Sequence, residues 1–266
     1  MNKFLDDRRF GVPGPPGRDG FDITGWIPKG LLEMFYKNTT ASFYFKTETD
    51  CILYDDKKRP IGLVNHGDSE YNAICLSNFH KPVHIHGSFY ALPFDHTIYK
   101  ISNIGTADVE PSIMFVAFTF KISKKLEPGK EYIIFTNNNG SRGVVISSKT
   151  INILGAQVRQ ELTYQPNEWN TMIIQYSNVS SGEDQCFFYL NENRGFIRPQ
   201  KYDEYGEDIY IGGNEKGEDC APIYISRFDV YVRYWKHEEI HEEIENYLVP
   251  EEICKLVLND IMVDLM

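Results

Sequence analysis

His237-Glu238-Glu239-Ile240-His241 sets two imidazoles four residues apart with a glutamate beside the first. That is the spacing by which a helix holds a zinc ion and supplies a base to its water. The surroundings argue for something plainer. The stretch is a local duplication of His-Glu-Glu-Ile with 25 residues after it to supply a third ligand and a cleft. A charged solvent face with Ile240 and Ile244 packed inward accounts for every residue. His84-Ile85-His86 is a second metal candidate, because alternate residues of a strand point the same way. The pair would hold one ion with His80 or His66, or form the polar face of an edge strand. Asp184, Glu207 and Asp208 are loop acids able to take calcium through oxygen ligands; no other cofactor is expected.

Glycosidic hydrolysis needs two carboxylates about 5 to 9 Å apart in one cleft. The apolar runs at 113–122 and 169–176 contain no acidic residue, and the acidic clusters Glu183-Asp184 and 204–208 fall between runs. No Gly-x-Ser-x-Gly elbow and no glycine-rich phosphate loop occurs either. The expectation is a binding protein that is not an enzyme, with a carbohydrate-active enzyme as the alternative. Loops on a rigid scaffold commonly carry recognition. Asn137, Asn138, Asn139 and Arg142 in one loop, with Asn191, Asn193, Tyr202 and Tyr205 in others, offer amide and aromatic groups to sugar hydroxyls and pyranose faces. Ordinary turn chemistry is the competing reading of each.

The elements that must position these groups are strands. In 266 residues there are 17 Phe and 17 Tyr, and the apolar runs are rich in Ile and Val, which favours β structure. Short runs at 42–45, 52–54, 61–64 and 73–76 are separated by turn residues. From residue 87 they lengthen, at 88–92, 97–101, 113–122, 131–136, 143–148, 150–154, 161–164, 169–176, 186–191, 209–212 and 223–232. This spacing predicts an all-β, two-sheet antiparallel sandwich. The run at 113–120 is apolar on both faces, as a central strand requires. The tail changes period: Ile240, Ile244 and Tyr247, then Ile253, Leu256, Val257 and Ile261, recur at helical spacing on either side of Pro250.

Trp169-Asn170 heading a strand, Phe188-Tyr189-Leu190-Asn191 followed by Gly195, Ile209-Tyr210-Ile211-Gly212-Gly213, and the run from Ile225 to Tyr231 follow one another as in concanavalin A-like, laminin G-type jelly rolls. The chain resembles that family over residues 87–233, departing from it at Tyr224, where many members carry glycine. The resemblance implies a lectin-like head with ligand loops at one end. Asn191 and Gly195 suit a hairpin loop of unusual backbone angles, and Gly212-Gly213 an abrupt strand end.

Gly11, Gly14, Gly17 and Gly20 stand in register with Pro13, Pro15 and Pro16 between them. A glycine at each third place suits three polyproline-II strands about a common axis, so the segment predicts a homotrimer; a Pro/Gly linker falling into phase is the alternative. Four triplets are too few to hold three chains alone, and the head must assist. The predicted organisation is an N-terminal anchor peptide at 1–10, collagen-like triplets at 11–22, a β-rich part at 23–86, a jelly roll at 87–236 and a helical tail at 237–266. Whether 23–236 is one module or two stays open. A net charge of −11 without a basic stripe excludes a nucleic-acid footprint, and no run approaches the roughly 18 apolar residues of a membrane span. The start lacks a secretory h-region. Five dispersed cysteines form no disulfide framework. These features predict a trimeric fibre-like or capsid-surface attachment protein that binds a glycan or protein receptor and meets a particle protein through residues 1–10. A secreted collagen-like signalling head is the further alternative.

Overall fold

The computed structural model describes residues 41–45, 51–67, 71–86, 89–102, 104, 112–137, 140–156, 159–177, 186–191, 193–197 and 208–234. The glycine triplets at 11–22 and the tail at 237–266, with its His-Glu-Glu-Ile-His motif, lie outside them.

Two antiparallel sheets make up the described chain, which contains no helix. The first runs β15 (Asn193–Ile197), β14 (Cys186–Leu190), β13 (Asn170–Ser177), β8 (Ser112–Ile122), β17 (Ile223–Tyr234), β6 (Phe89–Phe94) and β5 (Val83–His86), and β1 (Ala41–Tyr44) also pairs with β17. The second runs β12 (Glu161–Thr163), β11 (Thr150–Leu154), β10 (Gly143–Ser147), β9 (Glu131–Asn137), β16 (Ile209–Ile211), β7 (Tyr99–Ile101), β4 (Ala73–Cys75), β3 (Pro60–Leu63) and β2 (Ile52–Tyr54). The strands before residue 87 extend these same two sheets. β17 carries a bulge between Ile225 and Arg227; one edge pairs with β6 and then with β1, while the other pairs with β8 from Ile223 to Tyr234.

The inner faces of the two sheets meet in one core. At its centre the Phe118 ring lies 5.7 Å from Phe120, 5.6 Å from Phe135 and 5.9 Å from Phe228. Phe135 belongs to the second sheet and the other three to the first, so this aromatic knot joins the layers. Burying each ring is worth about 1.5–3 kcal/mol. β8 lies between β13 and β17, and from Phe115 to Phe120 every residue on it is fully buried. The expected two-sided burial of this run is therefore observed.

Gly212 has φ of 91°, and a Cβ there would approach the Phe94 ring and the Thr97 carbonyl oxygen to 2.3 Å. Only glycine lets β16 stop beside those groups. Gly195 differs from expectation: it lies inside β15, opposite Phe188, rather than in a loop. A Cβ at that position would come within 2.3 Å of the Phe188 ring, so the glycine makes room for a core side chain.

Candidate functional site

The β9–β10 turn carries two of the residues whose types suggest sugar binding, and it buries both. Asn137 is 4% exposed and Arg142 2%. The Asn137 carboxamide oxygen accepts the Arg142 backbone N–H at 3.0 Å, and its Nδ2 donates to Ser141 Oγ at 3.0 Å. Thr136 Oγ1 donates to the Arg142 carbonyl at 3.0 Å. The Arg142 guanidinium lies over the Tyr176 ring, 5.5 Å from its centroid. These side chains are buried and shape the turn from within; Asn138 and Asn139 lie outside the described residues.

Tyr176 on β13 ties this turn to the opposite sheet. Its Oη accepts the Gly143 N–H at 3.1 Å, and lies 2.9 Å from the Gly143 carbonyl oxygen and 3.0 Å from that of Leu154. Tyr176→Phe strips a buried donor and acceptor from those backbone groups, and an unfolding midpoint should report a loss of about 1–3 kcal/mol.

The β14–β15 hairpin presents the opposite picture. Asn191 takes the left-handed turn conformation at φ 52°, which asparagine tolerates. Its Oδ1 accepts the Thr171 N–H at 2.9 Å and its Nδ2 donates to Asn170 Oδ1 at 3.1 Å. The Asn191 amide thus fastens the hairpin to β13. Beyond it, Asn193, Arg194 and Phe196 are exposed, Phe196 to 58%. Arg194 pairs with Tyr189 and Phe196 with Phe187, so both lie on one face of β15 with Gly195 between them. The Arg194 guanidinium stands 4.9 Å from the Phe196 ring centroid. β15 is the last strand of its sheet. An exposed ring with a guanidinium over it offers a stacking surface and donors on one face of the strand, while Asn193 falls on the other face. Sequence reading found Asn193 and missed Arg194 and Phe196, because Gly195 disguises the strand as a turn; the alternation of Arg194 and Phe196 about it was the available signal.

Among the described residues the metal candidates have separate neighbours. β5 has a register shift: His84 pairs with Tyr90 but His86 with Phe89, so two steps along β5 match one along β6. His84 meets the Tyr90 ring edge-on at 5.3 Å, His80 Nδ1 lies 2.9 Å from Thr97 Oγ1, and His66 stacks on Tyr44 at 4.4 Å. Each of these three imidazoles has a different neighbour. Asp208 accepts from Lys100 Nζ at 2.7 Å, a hydrogen bond that holds the ammonium above its usual range. Among the described residues no three histidine, cysteine or acidic side chains group as a metal site. Asp184, Tyr202, Tyr205 and Glu207 lie outside those residues.

No family model matches the chain, and no curated protein matches it. Among solved structures it is similar to the botulinum neurotoxin serotype D ligand binding domain in complex with N-acetylneuraminic acid, at 16% identity and a TM-score of 0.51, covering 86% of this chain and 52% of that one. It is likewise similar to the botulinum neurotoxin serotype D binding domain, at 16% identity and a TM-score of 0.51, covering 85% of this chain and 51% of that one. The chain spans about half the length of these solved chains. At such identity the likeness is one of fold, and it agrees with the two-sheet, lectin-like sandwich.

Proposed function

We propose that the chain is a non-enzymatic attachment head that binds a glycan through the exposed face of β15, with Phe196 as the stacking surface and Arg194 as the polar contact. The observation that carries this reading is the 58% exposed Phe196 with a guanidinium 4.9 Å from its centroid on an edge strand. Phe196 is the most exposed of the large apolar side chains described, and an aromatic ring so placed can pack against the C–H face of a pyranose. One solved neighbour of similar fold was crystallised with N-acetylneuraminic acid, which makes sugars the first ligands to try. A protein receptor would use the same exposed ring.

The glycine triplets support a trimeric arrangement, in which three weak sites act together through effective concentration. A fibre or particle surface, reached through residues 1–10, suits such a head. A glycan array probed with the purified chain and with Phe196→Ala tests the reading, alongside mass by light scattering. At least one glycan class should bind the parent and lose about tenfold in affinity with the variant, equivalent to 1.4 kcal/mol. Binding that survives the substitution unchanged would remove β15 from the site, and a monomeric mass would remove the trimer.

A further inference from the structure

The second sheet leaves apolar side chains uncovered on its outer face. Ile52, Leu63, Ala73, Ile101 and Ile209 all join the core between the sheets. Their strand neighbours Leu53, Gly62, Ile74, Lys100 and Tyr210 pair with one another across β2, β3, β4, β7 and β16, and so form a row that faces away from that core. Leu76, two residues on from Ile74, continues the ladder by donating its N–H to the Ile98 carbonyl at 2.9 Å, and it falls on the same face. Toward β16 this face is closed, because Tyr210 and Ile98 are buried with Cys220 in a small cluster of their own. At β4 it is open, with Ile74 40% and Leu76 49% exposed. Lys100 is the one charge in the row, and Asp208 neutralises it at 2.7 Å.

We infer that a second and a third copy of this chain cover the open part, Ile74 and Leu76 of each head converging about a threefold axis. The inference rests on the trimeric reading of the glycine triplets under the proposed function. Four triplets are too few to hold three chains, so the heads must supply a contact. Where the chain enters the head says which side is gathered. The Ser42 N–H of β1 donates to Asn65 Oδ1 at 2.8 Å, and the Asn65 N–H donates to Asn72 Oδ1 at 2.9 Å, one residue before β4 begins. The first described strand is thus tied to the start of β4, and necks wound upstream of it draw three heads together by that end. Charge favours the same face. Each chain carries −11, so copies approach at least cost where apolar side chains meet and the local charge is already paired. A closed ring of three presents the same residues of every copy to its axis.

Sedimentation velocity of the full chain at micromolar concentration tests the placement with three variants. Ile74→Glu and Leu76→Glu each set three carboxylates around the axis, whereas Val83→Glu adds the same charge to another exposed apolar residue, on the edge strand β5 of the first sheet. Parent and Val83→Glu should sediment as trimers, and Ile74→Glu and Leu76→Glu should need at least tenfold higher concentration to do so. Circular dichroism checks that each variant keeps its sheets, and the uncharged Ile74→Ser, Leu76→Ser double variant repeats the test should a glutamate prevent folding. Trimers from all four proteins would overturn the placement and leave the trimer standing. A parent that sediments as a monomer would overturn both. Dissociation of Val83→Glu along with the others would show a general effect of charge and remove β4 from the contact.

Discussion

Asp229→Ala is expected to cost about 3–5 kcal/mol of stability, because it leaves a cation in the sheet without its carboxylate. The Asp229 side chain is 1% exposed and that of Arg227, two residues earlier on β17, 13%. Arg227 Nε donates to Asp229 Oδ2 at 2.5 Å, and Ser42 Oγ donates to Oδ1. One carboxylate therefore holds the guanidinium on its own strand and the hydroxyl of β1, which pairs beside it. Asp229→Asn keeps an acceptor for Ser42 and loses the charge facing Arg227, so it should fall between the parent and alanine. Urea titrations of the three proteins check the order, with equal slopes showing that the same surface is exposed on unfolding. A loss below about 1 kcal/mol for alanine would mean that the pair behaves as an ordinary surface ion pair.

Phe118→Ala should be comparably damaging, about 3–5 kcal/mol, for a different reason. The ring is fully buried and touches neighbours of both sheets, Phe120 and Phe228 on its own and Phe135 opposite. Removing it opens a cavity at the junction of the layers, where neither sheet can close without shifting the other. Phe118→Leu refills most of that volume and should cost less than half as much. Thermal and denaturant unfolding followed by tryptophan fluorescence compare the two, and equal costs would show that ring stacking, not volume, holds the layers together.

The strand pattern was readable because burial in a sandwich imposes a period of two on the residues themselves. The run at 113–120, apolar on both faces, announced the strand buried on both sides, and each of the eleven runs after residue 87 corresponds to an observed strand. Reading failed where one residue served a neighbour distant in sequence. Gly195 looks like a turn and is there for the Phe188 ring, so β15 and its exposed Arg194 and Phe196 went unseen. Asn137 and Arg142 have the composition of a binding loop, but the register of β9 and β10 turns them inward, where hydrogen bonds to their own turn occupy the Asn137 amide. The register shift of β5 between His84 and His86 comes from a single inserted residue, which no local periodicity reveals. Asn191 was readable as a residue for unusual backbone angles, because that need is set within the hairpin it closes, whereas its amide bonds to Thr171 and Asn170 on β13 were not.

The pairing of β1 with β17 has a consequence for biosynthesis. Ser42 and Asp229 are 187 residues apart in the chain, so the earliest strand has no mate until nearly the whole polypeptide has emerged from the ribosome. Partners so remote make for slow folding and leave apolar edges waiting meanwhile. Among the described strands, the first is thus locked in place by the last, and the sandwich closes late in synthesis.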